Sequence, residues 1–162
     1  MANTDLSYYA NDVLVAGDPI VLWVEAGDSS ILPGYVVEQE DANEVVINGT
    51  TTAVPFGIAG LKIDQDVDTA YSEGEAIFIY PIGQGIIVWV KHAGTDETVY
   101  GGAPADAGSG TNGAVELFET NFVGDGTTET WLTDTLGGCI GRFMEYLDTE
   151  ATAKWTKVML GL

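Results

Sequence analysis

Pro33 and Gly34 stand between Ile31-Leu32 and Tyr35-Val36-Val37, and this junction constrains the chain more than any other feature. Proline presets φ at one turn position and glycine supplies a positive φ at the next. An apolar run therefore reverses and re-enters as a β-branched one. Short apolar runs punctuated by turn residues recur at Gly57-Ile58-Ala59, at Tyr71-Ser72-Glu73-Gly74-Glu75-Ala76-Ile77-Phe78-Ile79 and at Gly85-Ile86-Ile87-Val88-Trp89-Val90. With 21 glycines and frequent Val, Ile, Thr, Tyr and Trp, the chain reads as many strands joined by tight turns. No stretch keeps a 3.6-residue apolar period for more than about two turns, so an all-β fold is expected.

The expected organisation is an extended N-terminal arm over residues 1–12 and a single β domain over residues 13–162. A chain of 162 residues buries roughly 70% of the surface its unfolded form exposes, so it folds without disulfides or metal. Strands are expected at 20–24, 35–37, 45–47, 53–61, 76–80, 86–90, 114–118, 121–123, 139–147 and 154–160. Asn48-Gly49 is the strongest two-residue hairpin signal and predicts a reversal into the strand that follows. Pro55 pushes that strand toward an edge or an irregular start. Residues 81–85 predict a glycine-containing hairpin loop between the two most apolar strands, 76–80 and 86–90, whose continuous apolar character implies cover on both faces. Residues 101–113 form a Gly/Ala/Ser loop, read as a flexible excursion or an intersubunit contact. Short helical turns are allowed at 103–107 or 130–136.

Charge excludes several functions. Asp and Glu total 25 against 5 Lys and Arg, a net charge of −20. Nucleic-acid binding needs cations that release counterions from phosphates, and anionic membranes repel such a surface, so neither is an expected partner. A single cysteine, Cys139, permits no intrachain disulfide and reads as a small buried apolar residue. No apolar run reaches the roughly 18 residues of a membrane-spanning helix, and the N-terminus lacks the basic start and apolar core of a signal peptide.

Four features invite a chemical reading. Asp64, Asp66, Asp68 and Glu75 occupy the spacing of ligands one, three, five and twelve in an EF-hand calcium loop. Thr69 stands where the sharp turn calls for glycine and the flanks read as strands, so a solvated acidic turn is favoured and no metal or other cofactor is expected. The single histidine, His92, follows an apolar strand and reads as a surface or interface residue. Nucleophilic triads need histidine with nearby partners, so no catalytic residues and no enzyme activity are expected. Asn48-Gly49-Thr50 matches an N-glycosylation acceptor, though the hairpin turn explains it without a glycan. Trp23, Trp89, Trp131 and Trp155 are expected mostly in the core or a subunit interface, because aromatics carry large buried area, with a sugar-binding platform as the rival.

Several pieces in order resemble the head-decoration, or cement, proteins of tailed viruses and proviruses. These are Pro33-Gly34-Tyr35-Val36-Val37, Gly57-Ile58-Ala59, Tyr71-Ser72-Glu73-Gly74-Glu75-Ala76-Ile77, Gly141-Arg142-Phe143-Met144-Glu145 and Lys157-Val158-Met159-Leu160. The match covers residues 13–100 and 139–160. The resemblance implies a compact β-sandwich or barrel-like module of β-tulip type, usually a homotrimer. Such a module sits on the outer surface of an icosahedral capsid and cements neighbouring major capsid proteins of the expanded shell. On that basis Leu6, Tyr8 and Tyr9 in the arm are expected capsid contacts, and Trp23 and Trp89 expected core or trimer-interface aromatics. Location in the virion follows from the resemblance. The alternative reading is a carbohydrate-binding β-sandwich, which calls for exposed aromatics in one plane.

Overall fold

The computed structural model describes residues 13–48, 54–92, 98–101, 104–107, 113, 115–117, 139–148 and 154–161. Thirteen strands occur among them: β1 (Leu14–Ala16), β2 (Leu22–Ala26), β3 (Val36–Asp41), β4 (Glu44–Ile47), β5 (Pro55–Ala59), β6 (Ala76–Pro81), β7 (Ile87–His92), β8 (Thr98–Val99), β9 (Pro104–Ala107), β10 (Val115–Leu117), β11 (Cys139–Phe143), β12 (Leu147–Asp148) and β13 (Lys154–Leu160). No helix is present among the described residues. The fold is all-β, a closed barrel beside a second sheet.

The barrel closes in the order β2-β4-β3-β5-β6 and back to β2. The Pro33-Gly34 junction behaves as the sequence requires. Tyr35 donates its N–H to the Leu32 carbonyl at 3.1 Å, and Gly34 takes φ 82°, the positive value that a type II turn demands at that position. From there β3 enters and returns through Ala42-Asn43 as β4, with the Asp41 carboxylate accepting the Ala42 N–H at 2.6 Å. Side chains alternate with the period of two. Val37, Val45, Ala59, Ile77 and Ile79 fill the barrel with Ala26, Ile31 and Tyr71, while Val36, Ile58 and Tyr80 point outward into a second core. Each buried Ile contributes about 1.5–3 kcal/mol. Pro55 opens β5 at a register shift opposite Val37 and Glu38, where its missing N–H costs no ladder bond.

The second sheet is built on β7. Strand β13 pairs with it antiparallel from Ile87↔Met159 to His92↔Lys154, and β1 and β10 share its other edge. The order runs β1-β7-β10-β9-β11-β13, and the β7–β13 pairing returns the sheet upon itself. Val88, Val90, Val158 and Leu160 bury one face with Ile140, Phe143 and Ala105, and meet the barrel's Val36, Ile58 and Tyr80. The opposite face carries Trp89 and Trp155, packed with Val67 and half-buried Leu61. A separate ribbon pairs β8 with β12.

Three local expectations are overturned. Strand β4 does not reverse into β5 at Asn48: β4 lies between β2 and β3, and β5 pairs with β3 and β6. Strands β6 and β7 do not form a hairpin either, since β6 belongs to the barrel and β7 to the second sheet. Gly83 and Gly85 take φ 98° and 70° and turn the chain off the barrel, and the Gly85 N–H reaches the Leu160 carbonyl at 2.8 Å. The segment 101–113, expected as a loop with a helical turn at 103–107, contains β9, which pairs with β10 and β11. Its Ala105 is fully buried and pairs with Gly141, where a Cβ would collide with the Met159 carbonyl of β13.

Candidate interaction surface

The titratable residues singled out from sequence do not converge on a reaction centre. His92 is fully buried at the end of β7, its ring 5.9 Å from that of Phe143. This corrects the surface placement: the even-numbered positions of β7 face the core. The proposed calcium ligands are not gathered. Glu75 turns to Lys62 in an ion pair and accepts the Ser72 N–H at 2.8 Å, which holds its carboxyl below the ordinary carboxylate value. Asp64 sits exposed at φ 71°, while Asp66 accepts the Asp68 N–H at 3.4 Å. No group of three metal-ligating side chains forms among the described residues. Asn48 is buried and its amide donates to Glu38 at 3.1 Å.

Three of the four lysines, Lys62, Lys91 and Lys157, are committed internally. Lys62 pairs with Glu75 and lies 5.1 Å from the Tyr71 ring centroid. Lys91 donates to the Tyr35 hydroxyl at 3.0 Å. Lys157 lies 4.9 Å from the Trp89 ring centroid and 3.6 Å from the Glu145 carboxylate. The acidic groups that remain therefore dominate the solvent-facing field.

What the surface does offer is an uncharged apolar ribbon. Ile20, Val21, Leu22 and Trp23 are consecutive and 69%, 38%, 39% and 64% exposed. Four consecutive exposed apolar residues are costly in a folded monomer unless they serve contact. Trp23 leans on Phe78 with centroids 5.4 Å apart, and Gln84 brackets Ile20 by accepting its N–H at 2.6 Å and donating to its carbonyl at 2.9 Å. Trp89, by contrast, is 7% exposed. Of the two aromatics expected in the core or a trimer interface, Trp89 lies in the core and Trp23 projects from the outer face of the barrel. A smaller exposed group, Tyr100 with Tyr146, meets edge to face at 66° and makes no flat platform. The arm residues Leu6, Tyr8 and Tyr9 lie outside the described residues, as does Trp131.

The fold can be placed among known structures. No family model matches the chain, and no curated protein matches its sequence. Among solved structures, the capsid of Myoviridae phage XM1 contains a chain similar to this one. The similarity has a TM-score of 0.53 at 15% identity and covers 100% of this chain and 94% of that chain. The likeness is one of fold. It spans both chains almost end to end, so the barrel and second sheet belong to one architecture rather than a local coincidence.

Sequence reasoning missed the exposure of the ribbon because an unbroken apolar run reads as a covered strand. The available signal was Asp18-Pro19 directly before it: a proline beside a strand favours an edge.

Proposed function

We propose that this chain is a non-catalytic structural component of a virion, which binds the outer surface of an icosahedral capsid as a homotrimer and cements neighbouring major capsid proteins. The observation that carries the reading is the fold likeness to a chain of a phage capsid over the full length of this one. Three features support it. The chain is acidic at −20, which suits an outer face away from packaged genome. Its lone histidine is sealed in the core, and Lys62, Lys91 and Lys157 are held in internal contacts. Its exposed apolar ribbon suits lateral contact. A trimer presents three copies of each weak contact, and linked contacts raise avidity without new chemistry.

The test is sedimentation of the purified chain with expanded, empty shells, together with its mass in solution by light scattering. A trimer that co-sediments with shells is the expected result. A monomer that stays in the supernatant overturns the reading, and binding on a glycan array would redirect it to carbohydrate recognition.

A further inference from the structure

The edge of β2 that faces away from β6 carries backbone groups that no described strand takes up. Glu25 and Gly27 donate their N–H groups across that edge to the carbonyls of Asn43 and Val45 at 2.7 and 2.8 Å, while Ala26 donates to the opposite side, to Glu75, at 2.9 Å. Strand groups alternate sides with a period of two, so Val21 and Trp23 aim their N–H and C=O at the same edge as Glu25. Strand β4 joins β2 only at Glu25 and Ala26, whereas β6 pairs from Leu22 onward. The Val21–Trp23 edge is open among the described residues.

That edge is already held in place. Gln84 bonds both backbone groups of Ile20 and reaches the Pro81 carbonyl at 3.0 Å, so less entropy is lost when a partner arrives. Asp18 and Glu25 are exposed at the two ends of the ribbon, and neither enters an ion pair among the described residues.

We propose that this edge receives an extended apolar segment of the shell-forming partner, flanked by lysine or arginine, which adds as a further strand beside β2. The identity of the partner rests on the virion reading above; the strand-accepting edge does not. In strand addition, main-chain bonds supply affinity and alternate side chains supply selectivity, and exposed Trp23 is the natural anchor. A second copy of this chain is the poorer occupant. With 25 acidic residues against 5 basic ones it would set like charges beside Asp18 and Glu25.

The test uses the full chain and two synthetic peptides of alternating valine and threonine, one ended by lysines and one by glutamates. The lysine-ended peptide should slow amide hydrogen exchange at Val21 and Trp23, and the glutamate-ended one should bind about tenfold more weakly at low salt. Trp23→Lys should lower affinity for the lysine-ended peptide about tenfold or more by loss of the anchor. Val21→Pro, which deletes an open-edge N–H outside the β6 pairing, should weaken it as well. Unchanged exchange at Val21 and Trp23, or equal affinity for the two peptides, overturns the proposal. So does concentration-dependent self-association without peptide that Trp23→Lys abolishes, because it assigns the edge to a second copy. The two readings fail separately. A chain that ignores shells but binds the peptide loses the virion role and keeps the edge. A Trp23→Lys variant that co-sediments with shells as well as the parent chain loses the edge and keeps the role.

Discussion

Replacing Gly34 by alanine tests whether the turn at Pro33-Gly34 is a local reversal or a joint between the barrel and the second sheet. Two costs add. Gly34 holds φ 82°, and an L-residue in the left-handed region costs about 1–2 kcal/mol. A Cβ there would also fall against Cζ3 and Cη2 of Trp155 and lie 3.2 Å from the Trp89 carbonyl oxygen. Trp155 is packed against Trp89 and Val67, and overpacking of this kind costs about 1–3 kcal/mol. The sum, about 2–5 kcal/mol, is a large share of the roughly 5–15 kcal/mol that holds a domain folded. Gly74 supplies the control. Its φ is 76°, yet a Cβ there meets nothing within 4 Å, so Gly74→Ala should cost the strain alone. At roughly 2–4 °C per kcal/mol for a chain of this size, Gly34→Ala should lower Tm by about 10 °C and Gly74→Ala by about 4 °C. Urea denaturation followed by tryptophan fluorescence gives the free energies directly. In a double-mutant cycle, Trp155→Phe removes the ring atoms in conflict and should recover about 1 kcal/mol or more of the Gly34→Ala loss. Equal destabilisation by the two glycine substitutions, with no coupling to Trp155, would falsify the joint.

Three further substitutions test single contacts. The buried Tyr71 hydroxyl donates to the Gly60 carbonyl at 2.7 Å, so Tyr71→Phe should cost about 1–3 kcal/mol by leaving that carbonyl unsatisfied, as read by urea denaturation. Burial, with the nearby Glu75 charge, raises the Tyr71 pKa above its ordinary value of 10.0. Above that value the unfolded chain loses the proton while the folded one keeps it, so stability should fall as pH climbs past about 10, and Tyr71→Phe should remove that part of the alkaline slope. Glu75 has the opposite sign: its hydrogen bonds from Lys62 and Ser72 lower its pKa below 4.5, so its contribution is present above that value and lost as pH falls through the folded pKa. Glu75→Gln should flatten the acid limb of a Tm-versus-pH curve. Glu25 and Glu44 face each other across β2 and β4, so Glu44→Lys should stabilise by about 0.5 kcal/mol at low salt, and the gain should shrink in 1 M salt.

The most apolar strands were legible, whereas the short strands β1, β8, β9 and β12 and the strand partners were not. The runs around Ile77, Val88 and Val158 announce themselves by residue type, because β-branched side chains between glycines have few other uses. Pairing depends on burial far along the chain. Asn48-Gly49 carries the local chemistry of a hairpin, yet Asn48 turns inward to Glu38 and β4 finds β2 and β3 instead. Gly83 and Gly85 look like a hairpin loop but lead the chain from one body of strands into another. The two tryptophans make the point most sharply. Leu22-Trp23-Val24 and Val88-Trp89-Val90 are nearly the same tripeptide, yet Trp23 is 64% exposed and Trp89 is 7% exposed. The difference lies in what covers each strand. Trp89 meets Trp155 and Val67 across long sequence separations, while among the described residues no strand pairs with the far edge of β2 at Trp23.

The proposed role and the proposed edge meet in the charge balance. A component that decorates a shell is made in many copies, and an open apolar strand edge on each copy invites edge-to-edge aggregation. Natural strand edges are commonly protected by charge, and here the protection is global: each molecule bears −20, and Lys62, Lys91 and Lys157 are held by Glu75, Tyr35 and Glu145. Like charges therefore disfavour pairing of this edge with a second copy, while a partner with basic flanks is attracted to it. The acidity that excludes nucleic acid would then also select the partner, keeping Trp23 exposed until a surface of opposite charge arrives to cover it.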